Sequence, residues 1–270
     1  MRYAVDHDYH IHSRLSACSR VPEQTPERML EYAKENGYCR IVVTDHFWDE
    51  NVAGASPWYA PQNYDHVRES LPLPKADGVE FFFGAETEMT KDNVVAISRE
   101  RCNDFAFIII PIGHFHMVGF SLSEEEAATD AGRAEKFFSK FEALLRMNLP
   151  FRKIGLAHLA NDTLGARDNA QYCRVLELIL AQEDRLNRIF TRVAELGAGV
   201  ELNLACLRFQ TEEEKDAVRR FYSVAKACGC KFYFGTDAHR PEDFEGRKAA
   251  AEELVDLLGL EETDKFYIGE

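Results

Sequence analysis

The chain has 270 residues, 46% of them hydrophobic and 11% aromatic, which is enough for a sizeable core. Its 32 basic and 46 acidic residues give a net charge of −14, and no Lys/Arg stripe is present to displace phosphate counterions. That excludes a polyanion held by a broad basic surface, though cations in a pocket would still admit a small anionic substrate.

No apolar run approaches the length of a membrane span, and the opening residues lack a signal-peptide core. Seven cysteines in no regular framework suit reduced thiols, so a soluble, cytoplasmic protein is expected. The first strand is expected over residues 3–9 and delivers Asp8-Tyr9-His10-Ile11-His12. Side chains alternate along a strand, so His10 and His12 point the same way and can reach one metal ion. A polar loop over 13–25 leads to a helix with Thr25 as N-cap and Pro26 at its first position. Met29, Leu30 and Ala33 form its buried stripe, and Gly37 stops it.

Residues 39–44 read as a buried strand ending on Asp45-His46. The connection 47–64 carries Trp48, Trp58, Tyr59 and Tyr64, which favour a lid over a disordered linker. A short helix over 65–71 precedes a strand over 79–84 that ends on Glu86, and 93–97 reads as a small extra strand. The most apolar stretch, 105–112, ends at His114 and His116. Ser123 with Glu126 makes a capping box opening a helical region to about 147. A strand over 153–157 ends on His158, and helices over 169–180 and 183–196 follow, closed by Gly197. The strand 199–204 carries Glu201 and Asn203. Thr211 with Glu214 caps a helix to 228, the strand 231–235 delivers Asp237 and His239, and a helix over 245–258 closes the chain.

Strands alternating with helices indicate βα units and a mainly parallel sheet. Every candidate ligand falls just past the C-terminal end of a strand. In a closed α/β barrel those positions share one rim, whereas an open sheet would scatter them. A Gly-rich phosphate loop and a Gly-x-Ser-x-Gly elbow are both missing, which removes nucleotide-fold and serine-hydrolase readings.

The series His10-x-His12, Thr44-Asp45-His46, Gly84-x-Glu86, Gly113-x-x-His116, Ala157-His158 and Gly235-Thr236-Asp237-Ala238-His239 resembles the PHP (polymerase and histidinol phosphatase) superfamily. The similarity spans about residues 6–243, and the layout looks most like that of stand-alone histidinol-phosphate phosphatases. The resemblance implies a distorted (β/α)7 TIM-like barrel, a single domain over 1–270, with two or three divalent transition-metal ions at its rim. His10, His12, Glu86 and Asp237 would hold one ion, Glu86 would bridge to a second shared with His116 and His158, and His46 and His239 would hold a third. Imidazole with carboxylate suits Zn, Mn or Fe. The family's further His or Asp ligand is missing from Ser16-Ala17-Cys18-Ser19-Arg20; Cys18 lies near that position, where coordination of the third ion is one reading and a small buried thiol the preferred one. His114 is taken as a pocket residue, Glu88 as lying outside the ligand set, and His7 and His66 as solvated. Asp8 and Asp45 are candidates to orient ligand imidazoles.

The expected reaction is hydrolysis of a small phosphorylated metabolite, histidinol phosphate or a relative, by a hydroxide bridging two cations. Glu86 and Asp237 act in it through the ions, His114 could protonate the leaving alkoxide, and Arg208 would bind phosphate, with Arg20 and Arg240 as alternatives. An amidohydrolase-type barrel also begins with His-x-His and ends with Asp, but here no mid-chain lysine ends a strand. A non-catalytic metal-binding barrel is the remaining alternative, against which the ligand series is nearly complete.

Overall fold

The computed structural model describes all residues except 166–168, 205–208, 210 and 270, so Arg208 lies outside the described residues. Seven strands, β1 (His7–Ile11), β2 (Arg40–Val43), β3 (Glu80–Glu86), β4 (Phe107–Pro111), β5 (Ile154–Ala157), β6 (Gly199–Asn203) and β7 (Lys231–Gly235), lie in chain order. Each pairs in parallel with the next. Such pairing needs crossovers. Five of the six are supplied by α1 (Pro26–Asn36), the single turn α2 (Tyr64–Val67), α3 (Glu124–Ala127) with α4 (Asp130–Leu144), α5 (Asn169–Leu180) with α6 (Glu183–Leu196), and α7 (Glu212–Ala227), while the β3–β4 connection carries only a short 3-10 helix (Arg101–Asp104). A last helix, α8 (Arg247–Leu258), follows β7.

The ends of the sheet meet at the rim. Asp237 donates its N–H to the His10 carbonyl at 2.7 Å, and His12 donates to the Ala238 carbonyl at 3.0 Å. Lower down, side chains replace the ladder. The Phe234 N–H donates to His7 Nε2 at 3.1 Å, the Thr236 N–H to Asp8 Oδ1 at 3.0 Å, and the Tyr3 hydroxyl to the Phe232 carbonyl at 2.8 Å. The result is a distorted (β/α)7 TIM-like barrel whose β1–β7 seam is stapled by side chains. This corrects the reading of His7, which is buried rather than solvated. It also explains Asp8, whose carboxylate serves Thr236, the Tyr32 hydroxyl and the His10 N–H rather than an imidazole ring.

Strand alternation sorts the core. Tyr9, Val42, Phe107, Ile109, Ala157, Tyr233 and Phe266 fill the barrel interior, while Ile41, Ile108, Leu156, Val200 and Phe232 belong to the larger cluster beneath the helices. The register of β1 against β2 shifts between Asp8 and Ile11. A bulge of this kind re-aims side chains, and here Tyr9 packs in the apolar plug while its neighbour His10 reaches the rim.

Local rules account for most element ends. Thr25 accepts from the Arg28 N–H at the start of α1, and Gly37 ends it in the left-handed region at φ 66°. The Ser123–Glu126 capping box is formed. The helix it opens is short, because Thr129 accepts from the Gly132 N–H and starts α4 as a second N-cap. The extra strand expected over 93–97 is only an isolated Met89–Val95 bridge. No helix among the described residues is long and apolar enough to cross a membrane.

Candidate metal centre

Glu86 is the last residue of β3, fully buried at the centre of the rim. Its two carboxylate oxygens face different sets of imidazoles. Oε2 lies 3.5 Å from His10 Nε2, 3.3 Å from His12 Nε2 and 3.0 Å from His46 Nδ1. Oε1 lies 3.4 Å from His158 Nε2 and 3.8 Å from His114 Nε2. Asp237 divides similarly: Oδ1 is 3.0 Å from His12 Nε2 and 3.4 Å from His10 Nε2, and Oδ2 is 3.8 Å from His158 Nε2. Two sets, His10–His12–Asp237 and His10–Glu86–His158, each bring their donor atoms within 4.8 Å of one another. Two carboxylates shared among converging imidazoles form a bridging arrangement able to hold adjacent cations.

The imidazoles are oriented from behind. His10 donates from Nδ1 to Glu201 Oε1 at 2.5 Å. His114 donates from Nδ1 to Glu88 Oε2 at 2.8 Å, and His239 from Nδ1 to the Asp237 carbonyl at 2.7 Å. Ser16 Oγ donates to Asp45 Oδ1 at 2.7 Å, so at 3.0 Å from His12 Nδ1 it must accept the ring proton. Asp45 thus reaches His12 through Ser16 rather than touching its neighbour His46. In all four rings Nδ1 is the nitrogen held from behind, which leaves Nε2 as the atom free to meet a cation once any proton on it is displaced. Glu201, the buttress of His10, was noted in the sequence only as a residue on β6.

The backbone is bent to the same purpose. His158 (φ 56°) and Asp237 (φ 53°) both adopt the left-handed region that residues other than glycine avoid. Each sits just beyond a strand end and is held there, His158 by its N–H to Glu201 Oε2 at 3.2 Å and Asp237 by its N–H to the His10 carbonyl. Such strain costs about 1–3 kcal/mol per residue and concentrates at functional sites. A Cβ on Gly235 would collide with His10 Cβ and Glu201 Oε1, so glycine is what permits that buried pair.

Burial opposes charge throughout the centre, and neighbouring charges decide the outcome. Against burial, Glu201, Asp237 and Glu86 hold His10 well above the ordinary imidazole range. Also against burial, hydrogen bonds to Asp237 and Glu86 raise His12 to about 9. The imidazoles in turn hold Glu86 and Asp237 well below the usual carboxylate range despite their burial. Burial pushes His46 well down.

The centre opens into a cleft of about 420 Å³ also lined by Cys18, Trp58, Tyr59, Met117 and Thr163. A larger cleft of about 690 Å³ lies along residues 71–83, where Lys75 and Asp77 are the only ionisable lining groups. Of the residues expected at the site, His10, His12, His46, Glu86, His158, Asp237 and His239 converge. His116 is exposed, and the ring facing Glu86 from this segment belongs to His114. Cys18 is exposed rather than a buried filler. Arg20 donates to the Ala17 carbonyl, and Arg240 pairs with Asp243. The 47–64 segment is irregular but ordered. Trp48 and Tyr59 are buried together with Ala96, while Trp58 is exposed with its ring 5.1 Å from that of His46.

No protein-family model and no curated protein matches the chain. Among solved structures, histidinol phosphate phosphatase from Lactococcus lactis subsp. lactis, complexed with zinc, L-histidinol and phosphate, matches with a TM-score of 0.64. That match has 17% identity and covers 97% of this chain and 99% of that one. This chain shares the fold of that structure. A protein assigned as a histidinol phosphatase from Listeria monocytogenes matches with a TM-score of 0.59 and 14% identity, over 91% of this chain and 99% of that one. The sequence resemblance to the PHP superfamily and these neighbours therefore agree at the level of fold.

Divalent ions fit the donor set on an observation of this chain's own. Glu86 Oε1 and His46 Nδ1 are buried polar atoms without a hydrogen-bond partner, at the two poles of the bridging carboxylate. Orphaned buried acceptors are costly unless something else satisfies them.

Proposed function

We propose that the protein is a metal-dependent phosphoesterase that hydrolyses a small phosphate monoester, histidinol phosphate or a related metabolite. The observation that carries this reading is the division of Glu86, with one oxygen turned to His10, His12 and His46 and the other to His114 and His158. The neighbour from Lactococcus lactis, which holds zinc, L-histidinol and phosphate on the same fold, supports it.

His10, His12 and Asp237 would hold one ion, and Glu86 would connect it to a second on His114 and His158. His46 and His239 belong to a further position. Bound there, divalent cations supply an activated water and neutralise charge developing on the phosphoryl oxygens. The protein's own part is positioning. Glu201 and Ser16 hold the proton on Nδ1 of His10 and His12, which keeps their Nε2 atoms available. Glu88 does the same for His114. Trp58 and Tyr59 give the cleft an aromatic wall that suits a flat or heterocyclic leaving group. Arg208 is assigned to the phosphate from its place in the sequence alone.

The test is a phosphatase panel on purified protein, including p-nitrophenyl phosphate and histidinol phosphate, with lactones and cyclic amides as controls. Chelation is expected to abolish phosphate release, and Zn, Mn or Fe to restore it. Turnover of the lactones instead, or activity untouched by chelation, would refute the reading.

A further inference from the structure

Cys18 lies on the loop between β1 and α1 and lines the metal cleft. Its Sγ and one ring nitrogen from each of His12, His46 and His239 all lie within 4.8 Å of one another. Two donors on opposite sides of one cation stand about 4.4 Å apart, given metal–ligand bonds of about 2.0–2.3 Å. The set therefore closes on an ion with small side-chain adjustments.

His12 has a competing commitment. Its Nε2 lies 3.0 Å from Asp237 Oδ1 and 3.1 Å from His10 Nε2, in the neighbouring set, and one imidazole nitrogen serves one ion. What remains is Cys18 with His46 and His239. His239 has its Nδ1 proton on the Asp237 carbonyl, which leaves Nε2 as its donor. An independent sign that this position takes a cation comes from His46. That residue is only 8% exposed, and its Nδ1, 3.0 Å from Glu86 Oε2 at the edge of the centre, has no hydrogen-bond partner. Packing does not account for Cys18, because the residue is exposed at the cleft.

We propose that Cys18, as its thiolate, is a ligand of the cation held by His46 and His239. The position is then a thiolate–imidazole site that selects Zn(II), Fe(II) or Co(II) over Mn(II) and Mg(II), because soft sulfur favours the softer ions. The proposal rests on the metal-dependent reading above. On binding, the S–H bond is replaced by a sulfur–metal bond and the proton passes to solvent. The bound ion then occupies the sulfur that an alkylating or oxidising agent would otherwise attack.

The experiment titrates chelator-stripped protein with Co(II), comparing wild type with Cys18→Ser and Cys18→Ala. Wild type is expected to develop a sulfur-to-cobalt charge-transfer band in the near ultraviolet. Both variants should lack it, bind one ion fewer per chain, and keep the visible cobalt absorption of the remaining sites. In wild type, alkylation of Cys18 by iodoacetamide, followed by peptide mass, should slow roughly tenfold or more once Zn(II) is bound. Cobalt binding without a charge-transfer band, or variants with the wild-type ion count, overturns the assignment of Cys18 and leaves the phosphoesterase reading standing. Wild-type protein that binds no cobalt overturns both.

Discussion

His10 Nδ1 lies 2.5 Å from Glu201 Oε1, and neither side chain reaches solvent. Glu201 also accepts from the His158 N–H and from Asn203 Nδ2, each at 3.2 Å, so one carboxylate ties β1, the end of β5 and β6 together behind the centre. Removing groups that orient metal ligands typically costs about 10–100-fold in affinity. Glu201→Gln should weaken binding of the tightest ion by about that factor. Competition titration against a chelating dye checks it, and an unchanged affinity would show that Glu201 is only structural.

His114 and His116 make opposite predictions. The His114 ring faces Glu86 and is oriented by Glu88, whereas the exposed His116 makes a 5.3 Å edge-on ring contact with His114. His114→Ala is expected to lose one bound ion and to cut phosphatase turnover about 100-fold or more, as for loss of a group acting in the transition state. His116→Ala should keep the ion count and most of the rate. Elemental analysis with steady-state kinetics decides, and the reverse pattern would restore His116 to the ligand set.

Metal affinity should rise with pH. His12 is held at about 9 in the metal-free centre, so below that pH an ion must displace its proton. Each displaced proton steepens the apparent affinity by about tenfold per pH unit until pH 9 is approached. Calorimetry in buffers of different ionisation enthalpy would count the protons released. For metal-free stability the sign is opposite. The folded pKa of His12 lies above the ordinary value of 6.5, so its contribution is complete below pH 6.5 and lost as pH rises through about 9. Melting temperatures of the stripped protein should fall over that window, and a flat profile would contradict the charge assignment.

Gly235→Ala places a methyl group against His10 Cβ and Glu201 Oε1. Overpacking of this kind costs about 1–3 kcal/mol. Denaturant unfolding of the stripped protein should show that loss, together with weaker metal binding, because His10 must move. Wild-type values on both counts would mean that the barrel yields more easily here than its packing implies.

The order of strands, the barrel and the convergence of most candidate ligands were legible because hydrophobic strands ending in His, Glu or Asp recur along the chain. Alternation lets His114 and His116 share a face, and the family pattern selects His116, whereas the ring turned to Glu86 is that of His114. The strand ends at Pro111, beyond which alternation no longer tells which side chain faces the centre. Parity also says nothing of His7 and Asp8, whose partners are backbone groups more than 220 residues away. The N-cap at Thr129 was overlooked because the capping box at Ser123 promised a helix running through it.

The sequence by itself determined the chemistry on offer: imidazoles and carboxylates at successive strand ends, which any parallel barrel gathers on one rim. Only the tertiary structure decided that Glu86 divides its oxygens, that Glu201 stands behind His10, and that Cys18 meets His46 and His239. Those relationships depend on the bulge in β1, the left-handed turns at His158 and Asp237 and the space left by Gly235. Each is a contact between segments remote in the chain, where local propensity carries no information.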